Sequence, residues 1–491
     1  MCHGMAGPGR IRTTGCRASG RMTRPNIVFI FSDQQRADTM GYAGDEVAIT
    51  PHLDRLALEG SVFRRCLASS PVCMTTRASV MTGLQVHQHG VWAFADPGIR
   101  FGQSHVRNIQ SAGYRTGVVG KTHLWRHGGG HASDHLEEMA DWGFDDARET
   151  TGPSESVDTD SIYTDYLAEN GLLATHRNYL NLYLNSQRPL PWELPSSQLP
   201  TEAHLDMFIA SLAEDWLRDN VSESQPFYLQ VNFGGPHDPW DSPPEYRRMY
   251  NADHMVPSIG AEQSGPVSPL VSLLREHAPA KLDQMSRAEN QVMKAKYYAK
   301  VTLIDDCVGR VIEALESKGL MGNTWIVFSS DHGEMLGDHG LLAKKNFYEG
   351  AVNVPCLFRP PGGGETQQSR ALMSHLDIVA TLIDIAGAPE LIKSDGRSLL
   401  PMLDDRLQDT HQAAVLSELG LPPSVYTMVR TDRYKLSIDA RSRAAIDLYD
   451  MQDDPDELRN LVNELDYQLI KSDLIENMLN PMISDLDTSA W

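Results

Sequence analysis

Short, β-rich apolar runs alternate along the chain with stretches of helical periodicity, the pattern of an α/β protein. Four runs carry chemistry immediately after them. NIVFIF (26–31) is followed by Ser32, Asp33 and Gln34, and YRTGVVG (114–120) by Lys121, Thr122 and His123. FYLQVNF (227–233) runs into GGPHDPW with His237 and Asp238, and TWIVFSS (324–330) into Asp331 and His332. In open α/β sheets ligands bind beyond the carboxyl ends of the strands. Each residue also has a structural reading: Asp33 could cap a helix starting near QQRAD, Lys121 and His123 could be solvated, His237 could sit in a turn, and Asp331 with Gly333 could form one. Structural roles have no reason to favour the same end of four strands, so the functional reading is preferred for the group. No strand presents His87 and His89, which are read as structural.

One further segment stands out, PVCMTTRASVMTG from Pro71 to Gly83. Ser69 and Ser70 are N-cap types, and TTRASVM reads as a helix. Cys73 and Arg77, at i and i+4, would share a face. A helix N-terminus and a guanidinium both favour negative charge, so an anion could sit beside this cysteine. Taken alone, the segment reads as a small buried thiol with a surface arginine one turn on.

The 491 residues carry a net charge of −22, with 41% hydrophobic and 22% charged residues, ordinary for a globular protein of one large domain and a smaller one. There is no basic stripe to neutralise nucleic-acid phosphates and no apolar run long enough to span a bilayer. A local cationic pocket can still oppose the global field and admit a small anion. Six cysteines, at 2, 16, 66, 73, 307 and 356, show no CxxC spacing, so neither a zinc site nor a disulfide framework is expected, and a reducing cytoplasm fits. Residues 1–24 hold five arginines, no acidic residue and no apolar core, and are not a secretory signal.

Asp33, Gln34, Asp331 and His332 together make a hard, oxygen-rich set with one nitrogen. It suits Ca²⁺, Mg²⁺ or Mn²⁺ better than a thiolate-bound metal. Two carboxylates leave the metal cluster near neutral, and Arg77, Lys121 and Lys344 then make the pocket positive, right for a tetrahedral oxyanion.

With these residues assembled, the chain from about Pro25 onward resembles the sulfatase branch of the alkaline phosphatase superfamily. PNIVFIFSDQQRAD looks like its opening strand and first metal motif, PVCMTTRASVMTGLQVHQHGV its nucleophile motif, and GVVGKTHL its Lys-x-His motif. SSDHGEMLGDHGLLAKKNFYEG looks like the second metal motif with its sulfate-binding lysine. YTMVRTDRYKLS and DLYDMQDDPDELRNLVN are similar to the small antiparallel domain that closes sulfatases. The resemblance implies a large mixed central sheet flanked by helices over 25–392 and a smaller α+β subdomain over 393–491. It also implies that Cys73 becomes formylglycine, whose hydrated aldehyde supplies a metal-bound nucleophilic oxygen. Attack at sulfur would leave a covalent sulfoenzyme, and the second hydroxyl would then expel sulfate. Cys73 would thus join Asp33, Gln34, Asp331 and His332 at one divalent ion, Ca²⁺ or Mn²⁺. Arg77 and Lys121 would orient the diol, His123 would take its proton, His237 would protonate the leaving alcohol, and Lys344 would hold a sulfuryl oxygen.

The chain departs from the family pattern at three places. Thr75 stands where the usual CxPxR signature has proline, Gln34 where many sulfatases have aspartate, and His332 where many have asparagine. The last two resemble the branch of choline sulfatases and phosphonate monoester hydrolases, while Lys121 and His123 point to sulfate monoesters. The leading expectation is a cytoplasmic sulfatase acting on a small anionic ester, served transiently by a formylglycine-generating enzyme. The alternatives are a phosphonate monoester or phosphodiester hydrolase on the same site, and a non-catalytic binding protein whose Cys73 is never modified. A two-zinc phosphatase would need further His-rich motifs. Specificity is expected from 124–205 and 240–295, with Trp125, Arg126 and His127 as candidate pocket residues, and the terminal LDTSAW could dock on a second copy. Met22 precedes the first strand, so residues 1–21 are expected to be disordered or absent from the native protein. Intact mass of protein expressed from the native gene checks this, and a mass beginning at Met1 overturns it.

Overall fold

The structure is a computed structural model that describes residues 24–92, 102–184, 190, 193–278, 282–404, 407–421 and 424–486. The expectations for residues 1–21 and for all but Leu486 of LDTSAW lie outside the described residues. Nine strands form one mixed sheet: β1 (Asn26–Asp33), β2 (Ser61–Leu67), β3 (Arg115–Lys121), β4 (Asp146–Thr150), β5 (Phe227–Pro236), β6 (Thr324–Ser330), β7 (Asn353–Val354), β8 (Cys356–Arg359) and β9 (Gln367–Ser374). Their order is β4-β3-β5-β1-β6-β8-β2-β7, with β9 pairing β2. The first five in that order run parallel, and β8 turns antiparallel against β6.

All four chemistry-bearing runs are therefore central parallel strands. Alternate residues enter opposite cores, as the strand pleat requires. Val28, Ile30, Leu229, Val231, Ile326 and Phe328 lie in one core with the helices Leu205–Asn220 and Arg287–Ser317. Ile27, Phe29, Phe31, Tyr228 and Val327 lie in the other, under the helices Cys73–Thr82 and His375–Ala386. Burial on both faces explains why the runs are continuously apolar. Close contact between β3 and β5 demands glycine at Gly120: its φ is +91°, and a Cβ there would stand 2.0 Å from Asn232 O.

Four further strands, β10 (Ala414–Leu421), β11 (Ser424–Thr431), β12 (Tyr434–Asp439) and β13 (Ala445–Asp450), form an antiparallel meander. One face packs Val415, Leu419, Tyr426 and Met428 against Leu67, Val72, Phe347 and Val352 of the large unit. The other packs Leu416, Val429, Leu436 and Leu448 under the C-terminal helical residues Leu474, Leu479 and Ile483. Among the described residues no helix is long and apolar enough to cross a membrane.

His87 and His89 have structural roles. His89 Nε2 is 2.9 Å from Ser79 Oγ. The buried His87 ring lies between Glu418 of β10, 2.9 Å from its Nδ1, and Asp485, 2.8 Å from its Nε2; Asp485 is also paired with Lys393. Burial alone would lower the His87 pKa, but Glu418 and Asp485 outweigh it and raise it. A raised folded value makes the pair's contribution complete below the ordinary histidine pKa of about 6.5, and it is lost as pH rises through the folded value. In thermal melts, the gap between wild type and His87→Gln should be widest below about pH 6 and shrink as pH rises above the ordinary histidine value. A gap independent of pH would overturn this assignment.

Candidate active site

The parallel order of β3, β5, β1 and β6 brings Lys121, His237, Asp33 and Asp331 to one edge. Arg77 ties them together. Its Nε donates to Asp331 Oδ2 at 2.9 Å, its Nη2 to Asp33 Oδ2 at 3.2 Å and its Nη1 to Lys121 O at 2.7 Å. The guanidinium also lies over the Phe31 ring, 5.3 Å from its centroid. Arg77 is thus not a surface arginine: it is 2% exposed.

The helix that carries it is capped two to three residues after the serines that the capping pattern offers, and it begins two residues before TTRASVM. Cys73 is its first residue and Val72 its N-cap, with no side-chain cap. Ser70 is engaged otherwise, because Thr76 Oγ1 folds back to accept from Ser70 N and donate to Ser70 O. The expected helix after Asp33 is also absent, since β1 runs through Asp33 and opens into turns. Asp33 joins the buried cluster around Cys73 and caps no helix.

Cys73 Sγ lies 3.1 Å from His332 Nε2, 3.0 Å from Lys344 Nζ and 3.7 Å from Asp33 Oδ1. His332 Nδ1 donates to Gly333 O at 2.9 Å, which leaves Nε2 as the lone-pair nitrogen facing the sulfur. Burial lowers the His332 pKa to about 4, so the ring is neutral. Burial opposes ionisation of Asp33, but Lys121, His237, Arg77 and Lys344 hold its carboxyl well below the usual range. Donor atoms from Asp33, Cys73, Asp331 and His332 all lie within 4.8 Å of one another. Two buried carboxylates, a neutral imidazole and the Gln34 amide oxygen fit a hard divalent cation. Gln34 Oε1 here accepts from Lys344 Nζ at 2.7 Å, and its Nε2 donates to Glu334.

The two expected proton-transfer histidines occupy opposite electrostatic settings. Burial, then Lys121 and His127, drive the His123 pKa far down, so this ring is neutral. Burial and Lys344 also act against the His237 cation, yet Asp238, Asp33 and the contact to Cys73 raise its pKa. His237 Nδ1 donates to Asp238 O at 2.7 Å, leaving Nε2 for the site. Both rings line a cavity of about 590 Å³ with Cys73, Lys121 and Lys344, and its outer wall is formed by Leu190, Trp240, Leu274, Leu282 and Leu342. The regions expected to set specificity thus reach the cavity. Trp125 and His127 stand behind it: His127 stacks on His123 at 4.8 Å between centroids, Trp125 stacks on His135, and Arg126 is exposed.

Several supporting residues escaped the sequence reading. Tyr297 Oη donates to Gln34 O and accepts from Arg36 N, and His375 joins Ser69 N to Ser330 O. Asp206 Oδ1 accepts from both Gly234 N and Gly235 N just before His237. Glu149 holds the loop after β3 through Thr122 and Trp125. Glu334 lies inside the second metal motif, which could have flagged it; the others sit far from any motif. Gln34, His123, Ala343 and Lys345 have positive φ, between 57° and 73°, and such strained non-glycine backbone clusters at functional sites.

Residues 25–388 match the family model described as Sulfatase, and residues 337–483 that described as N-sulphoglucosamine sulphohydrolase, C-terminal. An arylsulfatase of Clostridium perfringens (strain 13 / Type A) is 29% identical, the alignment covering 91% of this chain and 92% of the relative. A choline-sulfatase of Rhizobium meliloti (strain 1021) is 28% identical, covering 89% and 82%. The crystal structure of a phosphonate monoester hydrolase of Agrobacterium radiobacter superimposes with a TM-score of 0.78 at 24% identity, over 95% of this chain and 97% of that one, a likeness of fold.

Proposed function

We propose, on the premise that the chain belongs to the sulfatase family and is a sulfuric ester hydrolase, that it cleaves the sulfate ester of a small organic alcohol or phenol. Formylglycine made from Cys73 would be its nucleophile. The observation that carries this reading is the setting of Cys73 Sγ, at a helix start among His332, Lys344 and Asp33. Asp33, Gln34, Asp331 and His332 would hold one divalent ion, Ca²⁺ or Mn²⁺, which adds positive charge opposite the ester's oxygens. The hydrated aldehyde of formylglycine offers two hydroxyls on one carbon, one to attack sulfur and one whose deprotonation releases sulfate.

The remaining roles follow from charge. Lys344, held protonated by Cys73, Asp33 and Asp331 against the cost of burial, binds a sulfuryl oxygen. Lys121 and Arg77, both bonded to Asp33, fix the residue-73 oxygens and the carboxylates. Neutral His123 accepts a proton, while cationic His237 donates one to the departing oxygen. Gln34 and His332 also support a second reading on the same groups, hydrolysis of a phosphonate monoester or phosphodiester. A cytoplasmic location would suit the thiols of Cys66, Cys73, Cys307 and Cys356, which are free.

Conversion by a formylglycine-generating enzyme has to precede folding, because Cys73 and Thr75 are buried at 1% and 0% exposure. Proline at position 75 would favour the extended conformers that such an enzyme reads; threonine, β-branched, leans the same way less rigidly. Digestion with trypsin should release Cys66–Arg77 carrying an aldehyde at Cys73 in a fraction of chains and a thiol at Cys66. Thr75→Pro should raise that fraction, and Cys73→Ala should abolish turnover. Aryl sulfate, phosphonate monoester and phosphodiester assayed side by side separate the two readings; full activity with Cys73 wholly a thiol would overturn the formylglycine mechanism. His237→Ala should slow esters of alkyl alcohols far more than those of acidic phenols, since only the former need a proton in the transition state. A loss independent of leaving-group pKa would assign His237 to positioning instead.

A further inference from the structure

One carboxylate oxygen among the described acids of the cavity has no hydrogen-bond partner. Glu155 begins a short turn of 3₁₀-helix after β4 and lines the cavity with Lys121, His123 and His237. Its Oε2 is buried and makes no hydrogen bond. The opposing effects on its carboxyl are burial, which favours the neutral form, and Lys121, His237 and His127, which prevail and keep it ionised. The other acids of the cavity are committed: Asp238 accepts from Tyr183 Oη, and Glu334 from Gln34 Nε2 and the amides of Leu336 and Ala343.

The missing side chain of Gly152 lets Oε2 approach the backbone closely. A Cβ on this glycine would stand 2.2 Å from Glu155 Oε2 and 3.0 Å from Lys121 Nζ, so the carboxylate and the ammonium face the same small volume. Lys121 Nζ in turn donates to Asp33 Oδ2 at 2.7 Å, and Asp33 Oδ1 is 3.7 Å from Cys73 Sγ. Glu155 therefore lies beyond Lys121 in the same cavity as His237, the group proposed to protonate the departing alcohol. A buried, ionised oxygen without a donor is costly, and a ligand that supplies the donor relieves that cost.

We propose that Glu155 is a specificity determinant that accepts a hydrogen bond from a hydroxyl or ammonium group on the carbon next to the esterified one, so the preferred substrates are sulfate esters of vicinal diols or amino alcohols. The remaining wall, formed by Leu190, Trp240, Leu274, Leu282 and Leu342, takes the hydrocarbon body. This rests on the sulfatase reading above and adds the second polar contact to it.

The test compares kcat/KM for cyclohexyl sulfate, trans-2-hydroxycyclohexyl sulfate and trans-2-aminocyclohexyl sulfate, in wild type and in Glu155→Gln and Glu155→Ala. Wild type should prefer one or both donor-bearing esters by roughly tenfold to a hundredfold, the range expected for a charge-assisted hydrogen bond in a closed site. Glu155→Ala should bring the ratio close to one. Glu155→Gln retains an acceptor, so it should keep much of a hydroxyl preference and lose an ammonium preference, which distinguishes the two donors. The ratio between substrates cancels any general loss of activity through Lys121. A wild-type enzyme that hydrolyses all three at similar rates, or a preference that survives in Glu155→Ala, overturns this proposal and leaves the sulfatase reading standing. Absence of hydrolysis of any sulfate ester, with turnover of phosphonate or phosphodiester esters, overturns the sulfatase reading itself.

Discussion

The site depends on one buried ion cluster, the Arg77 guanidinium held between the carboxylates of Asp33 and Asp331. Burying two carboxylates side by side is tolerable only if cations and hydrogen bonds compensate them. Arg77 supplies the charge, Lys121 adds a second cation on Asp33, and the carbonyl of Lys121 closes the arrangement by accepting from the guanidinium Nη1. Because Asp33 ends β1, Lys121 ends β3 and Asp331 follows β6, the same cluster pins three strand ends to the helix that presents Cys73. A guanidinium serves this purpose better than an ammonium, since its planar fork can address three partners in fixed directions.

Around this cluster, the sheet supplies rigidity. Four parallel strands have apolar residues on both faces and two thick layers of helix covering them, so their ends cannot shift independently. A further layer fixes what the strands alone do not: Tyr297 orients the backbone at Gln34, His375 joins the segment before the Cys73 helix to the end of β6, and Asp206 holds the Gly234–Gly235 amides ahead of His237. This support explains how positive φ is sustained at Gln34 and His123. The antiparallel meander contributes from outside, where Lys435 donates to Phe347 O, three residues beyond Lys344.

The two histidines show how surroundings assign roles that residue type leaves open. His123 lies among cations and in a buried stack with His127, so it is neutral and can accept a proton. His237 lies by carboxylates and is pushed toward the cation, so it can donate one. The same logic separates Glu155 from its neighbours: every other cavity acid has a protein donor, and its Oε2 does not.

Much of this was legible in the chain itself. The apolar runs located β1, β3, β5 and β6 to within a few residues, and the polar residues after them located Asp33, Lys121, His237 and Asp331, because strand patterning and the chemistry of strand ends are local properties. That Val72 and not a serine caps the Cys73 helix was not legible, since Thr76 competes for Ser70 in a way that propensity does not encode. Nor was the burial of Arg77, the opposite protonation of His123 and His237, or the roles of Tyr297, His375, Asp206 and Glu155. These depend on which distant segments meet in space, often more than 200 positions apart. Sequence alone therefore determined the residue types the site would draw on. Their charges and partners were decided by tertiary contact, because desolvation and Coulomb interactions depend on distance through the fold and not along the chain.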